Sequence, residues 1–248
     1  MKKATVTIAS FAVLCSIQAL SGQTSPAPSA SSPAAAAAPV PRSEVYSITF
    51  IHAAPGKASA IEANRKTQAA AAAANAGHSV LLRHQSGSPW DYVAITHLGP
   101  KATVDPAGNP NGAAMKPLMD WHDDTFVNGS AWAEFAKQMY LDDSGKPKSA
   151  TSVYVVSVYR PLVGQEDALD KFLNEPPKAD DPTAGSVVFQ HLEGGAWRFC
   201  SISRYKSYGE YAAGEAKAVT DTAKGNGQWF QLRNLVSFHN DTVAAAVQ

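Results

Sequence analysis

The chain has no excess of either charge. Its 21 Lys and Arg are matched by 21 Asp and Glu, for a formal net charge of zero. That balance argues against a nucleic-acid binder that works by neutralising phosphates. Cysteine is scarce, with only Cys15 and Cys200 in 248 residues, which excludes a disulfide-stapled miniprotein. No CxxC, HExxH, GxSxG or P-loop pattern occurs, so no zinc cage, nucleophile elbow or phosphate cradle is announced. Long apolar runs are missing too. Ala4 to Leu20 is too short, and too broken by Thr and Ser, to span a bilayer comfortably. What remains is 45% hydrophobic and 17% charged, enough apolar bulk to bury a core and too much for a wholly disordered chain.

The first segment reads as an address. Met1-Lys2-Lys3 is basic, an apolar run through Ile8, Phe11, Val13, Leu14 and Ile17 follows, and small residues close it at Ala19, Ser21 and Gly22. This is the order of a bacterial-type secretory signal peptide, so residues 1–22 are expected to be removed and the protein to be periplasmic or secreted. Leu14 precedes Cys15 where a lipoprotein signal needs a small residue. Cleavage removes Lys2, Lys3 and Cys15. The remainder is mildly acidic, keeps Cys200 alone and forms no intrachain disulfide. Residues 23–43, mostly Ser, Pro and Ala, cannot bury enough surface to fold and read as a disordered tether.

Beyond the tether the chain repeats itself. VYSITFIH from Val45 corresponds to VYVVSVYR from Val153, each reaching a glycine at the same distance, Gly56 and Gly164. SVLLRHQSGSPWDYVAIT from Ser79 corresponds without gaps to SVVFQHLEGGAWRFCSIS from Ser186, matching His84 with His191 and Trp90 with Trp197. LMDWHDDTF from Leu118 corresponds to LVSFHNDTV from Leu235. The first repeat with an inter-repeat helix spans 44–141, a polar connector 142–151, and the second repeat 152–248. Each copy reads as βαββα. Tyr46, Ile48 and Phe50 alternate along a first strand. An Ala-rich helix over 58–75 stops near Gly77, and in copy two Leu169, Phe172 and Leu173 mark a helix over 165–174. A Gly-containing turn joins two strands of a hairpin. The neighbouring leucines and aromatics suggest a closing helix over 118–126 and over 235–243. Trp132, Phe135, Ala136, Met139 and Tyr140 form one helical stripe, and 101–112 is loop-like in composition.

A strand, an x-P-G-x turn into a helix and a hairpin with Trp opening its second strand resemble the ferredoxin-like dimeric α/β-barrel superfamily, which includes NIPSNAP-like proteins and antibiotic-biosynthesis-type monooxygenases. The resemblance rests on Phe50 to Lys57 and Trp90 to His97, with Val158 to Gly164 and Trp197 to Arg204 as counterparts. It implies an α+β fold in which two ferredoxin-like repeats form an intramolecular pseudo-dimer. Members of the superfamily include cofactor-free oxygenases, isomerases, haem enzymes and proteins of no known activity, so the fold alone does not choose among them.

Four pairs of residues are candidates for chemistry. His84 and His191 end the apolar faces of their strands and could serve as a general base or an axial ligand at the mouth of a cavity between helices and sheet, or simply be hydrogen-bonded structural histidines. Trp90 and Trp197 could line a pocket or plug the core. His122 with Asp124 and His239 with Asp241 are candidate ligand-binding pairs. Two residues apart on a helix they diverge by about 200° and cannot share one ion, so no metal is assigned. Cys200 reads as a buried filler. The polar positions differ between copies, Arg160 against His52 and Arg83 against Gln190, so two sites would not be chemically equal. Three readings stay open: binding of a small apolar or aromatic molecule; an oxygenase or isomerase with His84 or His191 as base, with no cofactor assigned and haem unsupported by a motif; and a non-catalytic interaction module. No nucleic-acid partner is expected, and no membrane span once the signal is cleaved. The exported form is expected to begin near Ser21 or Gly22, which N-terminal sequencing of the mature protein checks.

Overall fold

The structure is a computed structural model that describes residues 40–74, 77–100 and 112–247. The segment expected to be a signal peptide, most of the expected tether and nearly all of the 101–112 segment lie outside these residues. The described residues belong to one compact unit. The elements in chain order are β1 (Glu44–Ala53), α1 (Ala58–Ala73), β2 (His78–Ser86), β3 (Tyr92–Pro100), α2 (Gly112–Met115), β4 (Met119–Gly129), α3 (Trp132–Met139), β5 (Val153–Pro161), α4 (Glu166–Leu173), β6 (Gly185–Glu193), β7 (Phe199–Tyr205), α5 (Tyr208–Ala223), α6 (Gln228–Arg233) and β8 (Val236–Ala246). No helix among the described residues is long and apolar enough to cross a membrane.

The two copies begin with the same local device. In each, a strand runs into a turn closed by a backbone bond, Lys57 N–H to Ala54 O at 2.9 Å and Gln165 N–H to Leu162 O at 3.0 Å. Gly56 and Gly164 take positive φ there, +74° and +79°. Glu166 and Asp167 sit in the first turn of α4, where the helix dipole favours them.

The closing segments differ from the helix expected of them. Residues 119–129 and 236–246 are strands β4 and β8, so each copy is βαββ followed by one or two helices and a closing strand. Thr125 and Val127 turn inward and are buried, whereas His122, Asp124 and Phe126 turn out. The period of two was masked by Phe126 on the exposed side and by polar Asp123 on the inner side. Long-range pairing decides the conformation: β4 lies along β1 (Ile48 opposite Thr125) and β8 along β5 (Val156 opposite Thr242). The sequence reading also left α5 and α6 unassigned.

Eight strands close into an antiparallel barrel in the order β1-β3-β2-β8-β5-β7-β6-β4. Each copy supplies a four-stranded sheet, β4-β1-β3-β2 or β8-β5-β7-β6. The seams join the second strand of one copy to the closing strand of the other. His84 lies opposite Ala244 at one seam and His191 opposite Val127 at the other, equivalent positions of the repeat. The two copies therefore form the expected intramolecular pseudo-dimer. Its barrel interior is packed with matching residues, among them Tyr46 and Tyr154, Val80 and Val187, and Ile95 and Ile202. Cys200 is a free, fully buried member of this core, and burial pushes its thiol up to about 12. Helix α3 closes one end of the barrel with Phe135, Ala136 and Met139. There the Tyr46 hydroxyl donates to Ser130 O at 2.7 Å and the Tyr154 hydroxyl to Met139 O at 3.1 Å.

At each seam a hairpin glycine presses on the opposite copy. Gly87 (φ +120°) and Gly194 (φ +111°) adopt backbone angles that L side chains avoid. A Cβ at Gly87 would strike Asp241 O, and one at Gly194 would strike Asp124 O. Gly194→Ala is expected to lower stability by about 2 kcal/mol or more, a fall of several degrees in Tm by thermal melting.

Candidate functional site

The outer faces of the two sheets, where helices pack, are not alike. On the first sheet Ile51, Ile61, Ala94 and Met115 are buried together with Tyr92 and leave an apolar filling under α1. On the second sheet Leu169, Phe199 and Val236 form an equivalent apolar cluster with Phe172, Leu173, Leu232 and Leu235 packed against it, but two of the ladder positions carry hydroxyls. Ser201 replaces Ala94 and Tyr159 replaces Ile51. A partly open cavity of about 720 Å³ lies there, lined by Tyr159, Ser201, Ser203 and Tyr205 from the sheet and by Leu173 and Ala218 from the helices. The Tyr159 hydroxyl is within 3.2 Å of Ser201 Oγ. Burial and the nearby Asp241 push the Tyr159 phenol up to about 12, so it stays protonated near neutral pH. Buried hydroxyls beside aromatic and aliphatic walls suit a small molecule with an apolar body and a few polar atoms.

Arg42 borders the same cavity. Its guanidinium bonds Asp170 on α4 through both terminal nitrogens, and its Nε donates to Val188 O on β6 at 3.1 Å. The pairing of β6 with β4 covers only residues 190–193, so Arg42 supplies a donor for an edge carbonyl that the ladder leaves over.

The His–Asp pairs predicted from the closing motif are formed. His122 Nδ1 lies 2.8 Å from Asp124 Oδ2, and His239 Nε2 lies 2.9 Å from Asp241 Oδ2. The separation argued for a helix does not apply, because two residues apart on a strand share a face. The pairs stand on the outer faces, one per copy, and do not meet. His239 stacks on Tyr159 with ring centroids 5.8 Å apart, which sets the second pair behind a cavity wall. His122 and Asp124 are exposed beside the apolar filling, and Asp124 acts electrostatically on Arg65 of α1. The Asp241 bond holds the His239 imidazolium above its ordinary range against the opposing effect of burial.

His84 and His191 take the alternation expected of them, but they face the barrel interior and not a cavity between helices and sheet. Strand directions place both at the same end of the barrel. His84 packs on Trp90 at 5.7 Å and His191 on Trp197 at 5.5 Å. Trp90 and Trp197 both contact Phe50, at 5.6 and 6.3 Å, and plug this end. Nε2 of each histidine is buried without a hydrogen-bond partner. Asp123, on the inner side of β4, acts electrostatically on His191, whereas its counterpart Asn240 bonds Ser88 Oγ.

Sequence reasoning missed Tyr159, Ser201, Ser203 and Tyr205. For Tyr159, Ser201 and Tyr205 the signal was a hydroxyl residue where the aligned copy has Ile51, Ala94 and Leu98; Ser203 aligns with Thr96 and carried none. Among the described residues no group of three or more His, Cys, Asp or Glu side chains is placed to hold a metal ion. No imidazole lines the cavity, so the residues there do not fit an axially ligated haem.

No protein-family model matches the chain, and no curated protein matches it in sequence. Solved structures match in shape. An anthrone oxidase-like protein aligns with TM-score 0.58 at 14% identity, over 84% of this chain and 92% of its own. A protein of Fusobacterium nucleatum named as a monooxygenase aligns with TM-score 0.59 at 7% identity, over 83% of this chain and 93% of its own. Both repeats fall within such coverage. The chain has the fold of the ferredoxin-like dimeric α/β-barrel superfamily, with both halves in one polypeptide.

In Asp241→Asn the His239 pKa is expected to fall, read by NMR titration of its ring protons. Because the pair raises the folded-state pKa, its stabilisation is complete below the ordinary histidine value and is lost as pH rises through the folded one. Asp241→Asn should therefore flatten that part of the stability–pH curve.

Proposed function

We propose that the protein is exported and binds a small aromatic molecule carrying polar groups in the cavity on the outer face of its second copy. The observation that carries this reading is the asymmetry of the duplicated scaffold. Both outer faces hold an apolar cluster, Ile51, Ile61, Ala94 and Met115 on the first and Leu169, Phe199 and Val236 on the second, but beside the second a partly open cavity is lined by Tyr159, Ser201 and Ser203. Tyr159 offers a ring and a protonated hydroxyl, Leu173 an apolar wall, and the serines donors or acceptors that fix orientation. The address-like residues 1–22 support export.

A second reading, an oxidase- or monooxygenase-type or isomerase enzyme, is supported by the names of the two shape neighbours. In it, His84 or His191 is the base for a substrate reaching the barrel end, and His239 with Asp241 serves one held in the cavity. A panel of quinols and lactones assayed against His84→Ala, His191→Ala and His239→Ala would assign the base, and equal rates in all variants would remove this reading.

Binding is tested with 1-naphthol, followed by its own emission. Ala218 is exposed on α5 and lines the cavity, so a bulky side chain there fills space without disturbing the core. Ala218→Trp is expected to weaken 1-naphthol binding by about tenfold or more, roughly 1.4 kcal/mol. Equal affinity in the two proteins would contradict the assignment of the cavity.

A further inference from the structure

At the α3 end of the barrel, far along the strands from His84 and His191, the first copy carries a chain of three ionisable groups. Glu44 Oε2 lies 2.6 Å from His97 Nε2, and His97 Nδ1 lies 3.1 Å from His78 Nδ1. Glu44 Oε2 also accepts the Trp132 backbone N–H at 2.8 Å, an otherwise orphaned donor at the start of α3. A carboxylate oxygen in this position accepts from both nitrogens. With both rings neutral, His97 then donates from Nε2 to Glu44 and accepts at Nδ1, and His78 donates from Nδ1. That order leaves a lone pair on His78 Nε2. No protein group among the described residues bonds to it. The Trp132 indole stacks on His78 with centroids 4.2 Å apart and planes 11° from parallel, and so fixes the ring.

His78 forms part of a groove of about 560 Å³ whose other sides include Trp132, Tyr140, Lys137, Lys148 and Asp143. The second copy shows what a purely structural solution looks like at these ladder positions. Where His78 lies opposite His97, Gly185 lies opposite Arg204. Arg204 spends its donors on backbone, Nε to Gln138 O at 2.9 Å and a terminal nitrogen to Ala184 O at 2.8 Å, and it faces no lone pair. The first copy has instead a carboxylate–imidazole–imidazole chain ending at His78, which lines a groove that carries two lysines and one aspartate.

We propose that this chain is a second ligand site, at which His78 Nε2 accepts the proton of an acidic aromatic hydroxyl, a phenol, held in the groove beside Lys137 and Lys148. The phenol O–H bond breaks, its electron pair stays on oxygen as phenolate, and the proton forms an N–H bond at Nε2. The positive charge on His78 is stabilised through Nδ1–H and His97, which Glu44 holds in the required tautomer; His97 and Glu44 are positioning residues. Tyr140 and Trp132 offer aromatic surface to the ring, and the phenolate lies beside Lys148, whose Nζ is 5.9 Å from the Tyr140 ring centroid, and Lys137, which also pairs with Glu134. Burial and the neighbouring His97 lower the His78 pKa against the opposing charges of Glu44 and Asp143, so the ring is neutral before the phenol arrives; its reduced basicity opposes the transfer, and the lysines beside the phenolate offset that cost.

The test is a pH titration of 4-nitrophenol with the mature protein, read from the phenolate absorption. Binding at this site is expected to raise the phenolate-to-phenol ratio about tenfold at a fixed pH below the free phenol's own pKa, a shift of about one unit. His78→Gln should abolish the shift and His97→Gln should reduce it. Ala218→Trp, in the other cavity, should leave it intact. A missing shift, a shift that survives His78→Gln, or one lost in Ala218→Trp would overturn the proposal. If His78→Gln does not fold, ¹⁵N spectra of the unmutated protein decide: His78 becoming imidazolium on addition of 4-nitrophenol supports the site, and an unchanged neutral ring refutes it.

Discussion

Everything in this molecule depends on the reciprocal pairing of closing strands. A single ferredoxin-like half would leave two bare strand edges, and the exchange of β8 onto β2 and of β4 onto β6 removes them by closing the barrel. The seams are short. The β4–β6 ladder aligns Phe126, Val127 and Asn128 with Glu193, His191 and Gln190, and side chains complete what it omits. Arg42 Nε serves Val188 O, and Gln138 Oε1 accepts the Ser186 N–H. The hairpin glycines Gly87 and Gly194 let one copy's turn rest on the other's backbone. Register at the seams also carries His84 and His191 to a common end of the barrel, where the tryptophans seal it.

Closure constrains the inside of the barrel and leaves the outside free to diverge. Inward positions remain matched in character between copies, as Tyr46 with Tyr154 and Ile95 with Ile202 show. Outward and end positions do not. Ser201 lines the cavity where its counterpart Ala94 belongs to an apolar cluster, and His97 against Arg204 separates an imidazole chain from a locked guanidinium. The single helix α3, which has no second-copy equivalent at the barrel end, adds to this asymmetry because it supplies Trp132 to one groove and Gln138 to the opposite seam. Two chemically distinct places on one duplicated scaffold follow from these few positions.

Much of this was legible in the residues. The duplication, the hairpins, the inward alternation of His84 and His191, the plugging role open to Trp90 and Trp197 and the buried Cys200 all follow from period and spacing. The closing strands were misread because LMDWHDDTF places polar Asp123 among its inner positions and Phe126 on its outer side, and only pairing with β1, about 66 to 79 residues away, settles its conformation. The cavity was harder still to see. It arises from hydroxyls on strands whose outer face looks solvent-exposed until α4 and α5 pack over it. The Glu44–His97–His78 chain links residues 53 and 19 apart, none in a recognisable motif, and appears only once β1, β2 and β3 are in register.

The central claim is that the outer face of the second copy carries a ligand site beside its apolar cluster. The most direct measurement is a crystal structure of the mature protein soaked with 1-naphthol. The account predicts the ring against Tyr159 with its hydroxyl toward Ser201 or Ser203, and nothing between α1 and the first sheet. A ring found under α1, or a second-copy cavity left empty at saturating 1-naphthol, would contradict it.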